Sequence, residues 1–321
     1  MCYCRPDEIV AGGMGKYQRI VHSDWSRDAR KRWHCEASRA NGVWHVQAPR
    51  PVGELGSFVS GLLNSSGATL AGFDFPIGVP AAFGRSTGYA GFSELLDVLG
   101  AGPWSRFYDV CDHADEISIH RPFYPRVSSS AARQVHLLDK HGVSSIDELR
   151  RASERATSQR RAACSLFWTL GGNQVGKAAI SGWQDVVRPL KSAGAAVWPF
   201  DGSLMALGGE GRTVVAETYP AEAYGHFGVR FAPGGSKQRQ ADRAASTASL
   251  IARCRQFGIV LADDLAALIE DGFGPRKAFE DPFDAVMGAL GMIEVVEGRR
   301  REAPAAIPDR DWEGWIMGRL D

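Results

Sequence analysis

Five acidic residues stand at places where a folded chain has reason to gather them. Asp24 is the last residue but one of YQRIVHSDW (residues 17–25), Asp74 lies inside GFDFPIG, Glu217 lies inside VVAETYP, and Asp281 and Asp284 open DPFDAVMGAL. Carboxylates a few ångströms apart repel and lose hydration as a site closes, so gathering them is unfavourable without a cation. Oxygen-rich sets suit hard ions such as Mg²⁺ or Mn²⁺. Two such ions about 3.5–4 Å apart activate a water and stabilise the leaving oxygen of a phosphodiester. That chemistry needs no side-chain nucleophile, and the sequence offers no convincing one.

Each acidic residue also has a structural explanation. Asp24, two residues before Ser26, fits turn chemistry. Asp74 resists that reading, because an apolar strand bracketed by Phe73 and Phe75 is an unfavourable place for an unpaired carboxylate. Asp281-Pro282 fits a helix N-cap followed by proline, which leaves Asp284 in the first turn on the same face. Glu217 has the alternative of pairing with an arginine from the middle of the chain. We expect Asp24, Asp74, Glu217 and Asp284 as catalytic residues and Asp24, Asp74, Asp281 and Asp284 as ligands of Mg²⁺ or Mn²⁺. Lys177, Lys237 and Arg239 are the candidates for meeting phosphates, with Gly234-Gly235 exposing backbone N–H groups at a helix start.

The elements that must position these residues can be read from pattern. Residues 17–25, 31–38 and 42–47 read as three strands, with Asn41-Gly42 a strong hairpin signal. Residues 52–63 carry Leu55, Phe58, Val59, Leu62 and Leu63 at helical spacing. Residues 69–75 (TLAGFDF) read as a buried strand stopped by Pro76. A parallel return needs a crossover, and the helix supplies it. Adjacent parallel strands then bring Asp24 and Asp74 side by side at their carboxyl ends. Residues 81–200 are expected to form an inserted lid or cap, helical over 146–184, with a basic run of Arg150, Arg151, Arg155, Arg160 and Arg161. Beyond it come a strand at 213–218, a basic helix from Gly234 to about Phe257, and a final helix over 281–298. In that last helix Ala285, Gly288, Ala289 and Gly291 permit close approach to a sheet.

Composition narrows the class. With 37 basic and 37 acidic side chains the formal charge is zero, which argues against avid duplex coating and limits any nucleic-acid contact to a local one. No apolar run reaches the roughly 18–20 residues that span a bilayer. Residues 1–16 read as a loose polar leader without a signal core, and six scattered cysteines read as reduced thiols, so a cytoplasmic location is expected. Cys111-x-His113 with His120 matches no common zinc spacing.

Three strands, a helix and a parallel fourth strand, with strand one central, is similar to the RNase H-like fold. The segments GFDFPIGVP (72–80), VVAETYPAEAYGHFG (214–228), GGSKQRQADR (234–243) and DPFDAVMGAL (281–290) resemble the family catalogued as domain of unknown function 429, regarded as RNase H-like nucleases. Looser likeness extends to residues 165–190 and to DWEGWIMG (311–318). The resemblance implies an α/β, RNase H-like mixed sheet over residues 17–321 with a helical insertion, and Asp24, Asp74 and Asp284 as site residues of a metal-dependent nuclease. Trp25 departs from the small residue more usual there, and the segment after Pro80 is long. Two other functions compete: a non-catalytic binding or scaffold protein on the same fold, and an actin-like or sugar-kinase phosphotransferase. The latter holds phosphate on glycine-rich hairpins, and Asp24-Trp25-Ser26-Arg27-Asp28 contains no glycine.

Overall fold

The computed structural model describes residues 17–128, 132–158, 160–170 and 175–321; the expected leader lies outside them. Strand β1 (Tyr17–Asp24) pairs antiparallel with β2 (Trp33–Ala40), which turns into β3 (Val43–Val46). Asn41 and Gly42 both take positive φ, 52° and 81°, as the tight hairpin requires. The two-residue β4 (Arg50–Pro51) returns along β2. A helix, Leu55–Leu63, then crosses over to β5 (Ala68–Phe73), which runs parallel to β1 with Ser23 level with Phe73. Two further parallel strands follow outward, β7 (Thr213–Glu217) and the edge strand β6 (Ala196–Val197). At the far edge β8 (Ile259–Leu261) joins β3 in parallel, so the chain is α/β with a mixed sheet ordered β6-β7-β5-β1-β2-β3-β8.

Both faces of the sheet are covered, and the period of two along each strand decides what points where. Val21, Ala71, Phe73 and Val215 share one core with Phe83, Phe107, Phe123, Phe167 and Trp183 of the segment between β5 and β6. Ile20, Leu70, Val214 and Ala216 share the other with the helix Glu280–Val296 and the helices Thr247–Gln256 and Asp263–Glu270. The expected lid is therefore one of the two packed layers, and its last residues enter the sheet as β6. Its basic run is also less helical than expected. Residues 146–154 form two 3₁₀ turns closed by Ser145–Glu148 and Arg151–Glu154 capping contacts, and regular helix begins at Gly176.

The helix Glu280–Val296 packs directly on the centre of the sheet. A Cβ on Gly288 would run into the His22 ring of β1, and one on Gly72 of β5 would run into Met292. His22 is fully buried and neutral, its pKa lowered to about 3 by burial; its ring contacts the Thr218 hydroxyl at 2.9 Å and the Ala285 carbonyl at 3.2 Å. The imidazole thus ties β1, the end of β7 and the helix together. Among the described residues no helix is long and apolar enough to cross a membrane.

Candidate metal centre

Strand parity sorts the acidic residues into two groups. Asp24 continues the face of Ile20 and His22, and Asp74 that of Leu70 and Gly72, so both lie on the side of the helix that carries Asp284. Glu217 has the parity of Val215 and lies on the opposite side, level with Phe73. On the site face the residue at the end of β7 is Thr218, which meets His22.

Asp24 and Asp74 lie close enough for each carboxyl to shift the other. Burial, then the charges of Asp74, Asp284 and Asp281, push the Asp24 pKa well above the usual carboxylate range. Asp74 accepts from the Trp25 backbone N–H at 2.7 Å and is raised by burial to about 6, with Asp24 and Trp25 pulling it back. Asp284 is 4% exposed; burial raises its pKa, while the Lys237 ammonium and the Tyr224 hydroxyl, one on each of its oxygens, lower it. Asp281 is raised to about 6 by burial and by the charges of Glu280 and Asp284. Oε2 of Glu280 is buried without a hydrogen-bond partner among the described residues, 3.8 Å from Nζ of Lys237.

The donor set is made of carboxylate oxygens and fits a hard divalent ion. Among the described residues no three His, Cys, Asp or Glu side chains are already arranged around one metal position. In this side-chain geometry the Lys237 ammonium occupies Asp284. Its charge relieves part of the repulsion that converging carboxylates would otherwise carry.

Several expectations need correction. Glu217 is 4% exposed and forms a two-pronged ion pair with Arg151, at 2.5 and 2.6 Å, while Oε2 also accepts from the Ile77 N–H at 2.7 Å. With both oxygens committed and on the opposite face, it is not part of the acidic cluster. Asp281 is not the helix N-cap, because the helix starts at Glu280 out of a short 3₁₀ turn, placing Asp281 within the first turn. Gly234-Gly235 does not open a helix. Gly234 has φ +76° and the Gly235 N–H is taken by the Ala232 carbonyl, and helices form only at Gln240–Ala244 and Thr247–Gln256. Lys237 is consequently on a loop, free to reach Asp284. Arg239 is exposed and bound to Asp242 and the Gly234 carbonyl.

Trp25 is no obstruction to the site. It is buried against Phe73 and Phe75, donates to Ser181 at 3.1 Å, and lies 4.0 Å beneath the Arg32 guanidinium. Three arginines of the run from Arg150 to Arg161 are committed within the fold: Arg151 is buried, Arg150 binds Asp147 and the Ala163 carbonyl, and Arg160 binds Glu222 and Asp321, while Arg155 and Arg161 are exposed. Lys177 lies near Arg27, on the turn that follows Asp24. Burial and then the Arg27 charge lower its pKa, and neither cation has an ion-pair partner among the described residues. Arg27, Tyr224 and His22 are the functional and positioning candidates that sequence reading missed. Tyr224 lay inside the VVAETYPAEAYGHFG segment, seven residues beyond Glu217.

The protonation pattern has a measurable consequence. An unfolded aspartate titrates near about 3.9. Asp74 and Asp281, raised to about 6, bind protons in the folded protein that the unfolded chain has released. Their contribution favours folding below about pH 4 and is lost as pH rises through about 6. A divalent ion must displace the same protons, so its affinity increases over that interval. The melting-temperature shift produced by Mn²⁺ is expected to be larger at about pH 7.5 than at about pH 5. A shift independent of pH would exclude these carboxylates as ligands.

No family model matches this chain, and no curated protein or solved structure matches it.

Proposed function

We propose that this chain is a divalent-metal-dependent phosphodiesterase acting on nucleic acid, on an RNase H-like sheet akin to the family catalogued as domain of unknown function 429. One observation carries the reading. Asp24 and Asp74, level at the ends of two adjacent parallel strands, meet Asp284 from the helix packed across them, where burial and mutual charge push the Asp24 pKa up and the Lys237 ammonium pairs with Asp284. The order β3-β2-β1-β5-β7, antiparallel on one side of β1 and parallel on the other, supports the architecture.

Asp24, Asp74 and Asp284 would hold the ion, with Asp281 at its margin. Held there, a divalent ion would lower the pKa of a water and stabilise charge on the phosphodiester oxygens. The protein's own groups supply order. The Trp25 N–H fixes Asp74, the Tyr224 hydroxyl fixes one oxygen of Asp284, and His22 locks the helix to β1. Arg27 and Lys177, two neighbouring cations at the mouth of β1, suit the phosphates of a bound strand.

The test is cleavage of labelled DNA and RNA oligonucleotides with Mg²⁺ or Mn²⁺, against a chelator control. No cleavage and no metal binding would overturn the reading. In the same assay Arg27→Ala with Lys177→Ala is expected to weaken oligonucleotide binding and to flatten the dependence of log K on log salt by about two phosphate contacts' worth. An unchanged salt slope would mean that both cations are only solvated.

A further inference from the structure

Lys237 makes the most unusual contact at the site. Its ammonium binds Asp284, a buried carboxylate, although the side chain itself is 39% exposed. Its backbone is held independently: the buried Arg243 donates to the Lys237 carbonyl at 2.5 Å and to the carbonyls of Gly272 and Gly274 at 2.8 and 2.6 Å. The side chain therefore has freedom that its backbone lacks. A second berth lies close by, since Oε2 of Glu280, buried and without a hydrogen-bond partner among the described residues, stands 3.8 Å from Nζ at the same helix start.

An ammonium and a divalent cation compete for the same carboxylate oxygen. The Tyr224 hydroxyl engages one oxygen of Asp284, so the oxygen bound by Lys237 is the one a metal ion gains by displacing a like charge. Both cations on that oxygen would repel across a short distance in a poorly hydrated site. Departure of Lys237 removes that repulsion and frees the oxygen for an ion.

We infer that Lys237 is a resident counter-cation of the carboxylate site, displaced from Asp284 by the divalent ion and handed to Glu280 and to the incoming phosphodiester. This rests on the metal-dependent reading above. It gives the metal-free protein a neutralised site and makes ion binding and release of a phosphate-seeking lysine a single event. An empty site then keeps its lysine engaged, and only a loaded one presents it to substrate.

The experiment measures Mn²⁺ affinity of the full chain by calorimetry, without substrate, for the parent and for Lys237→Met and Lys237→Gln. Removing a charged hydrogen-bonding competitor is expected to tighten Mn²⁺ binding by about tenfold. Both variants are expected to melt earlier than the parent in chelator and to recover with Mn²⁺. A lysine that serves only to bind substrate leaves Mn²⁺ affinity unchanged, and one that positions Asp284 for the metal weakens it; either result overturns the inference. The parent crystallised with Mn²⁺ gives a check that needs no variant: Nζ is expected to have left Asp284, and an intact ion pair beside a bound ion contradicts displacement. If the parent binds Mn²⁺ in an Asp74-dependent manner and only the lysine effect is missing, the inference alone fails. If the parent binds no Mn²⁺, the proposed function fails with it.

Discussion

Arg151→Met is expected to destabilise the fold by about 3–5 kcal/mol, the cost of leaving buried charge without its partner. Arg151 is 1% exposed, and burial works against its charge; Glu154 and Glu217 more than offset this and move its pKa further up. It also reaches the Glu313 carbonyl at 3.1 Å, and Glu313 in turn accepts from the Ala81 N–H at 2.9 Å. One guanidinium thus joins the end of β7, the 3₁₀ turn at Ala152–Glu154, the loop after Asp74 and the C-terminal segment. Methionine fills a similar volume but strands Glu217 and Glu154 in the core. Adding Glu217→Leu removes one of those charges and is expected to restore a substantial part of the loss, because an apolar pair of similar size often replaces a buried ion pair without penalty. Denaturant unfolding of the single and double variants measures both. A loss below about 1 kcal/mol for the single variant would place the pair with ordinary surface ion pairs.

That pair also marks where sequence reading ran out. The β1–β2–β3 meander was legible because Asn41-Gly42 and alternating residues are local signals, and the crossover to β5 was legible because the apolar spacing of residues 55–63 is helical. Asp24 and Asp74 followed from those elements alone. Glu217 was misassigned because TVVAET is apolar on both faces, as a strand covered on two sides must be, so alternation gave no parity. Counting from Val215 in the folded register settles its side at once. The arginine run reads as the basic part of a helical lid, since charge in sequence does not reveal burial; only tertiary contact shows Arg151 enclosed. Two-residue strands such as β4 and β6 carry too little pattern to be read at all. Lys237 was picked out as a phosphate contact, but its pairing with Asp284, 47 residues away, depends on a loop that local signals rendered as helix.

Asp74→Asn separates a site built for a cation from a structural carboxylate. In the metal-free protein Asp74 is buried beside Asp24 and acted on by Asp284, and its pKa near 6 means that ionising it at neutral pH opposes folding. Asparagine keeps the acceptor that the Trp25 N–H needs and removes the charge. The variant is therefore expected to be at least as stable as the parent in chelator, as sites held ready for charge often cost stability. The parent is expected to gain about 2.7 kcal/mol from Mn²⁺ at a hundredfold excess over its dissociation constant. Asp74→Asn is expected to lose most of that gain, together with any cleavage, because a neutral amide is a weak ligand for a hard ion. A structural role for Asp74 makes the opposite prediction. Asparagine would then break a needed contact, lower the melting temperature in chelator and leave the response to Mn²⁺ intact. Four melting curves, parent and variant with Mn²⁺ and with chelator, decide between them. A parent that shows no shift at millimolar Mn²⁺ overturns the metal site and favours the reading of the fold as a binding or scaffold surface.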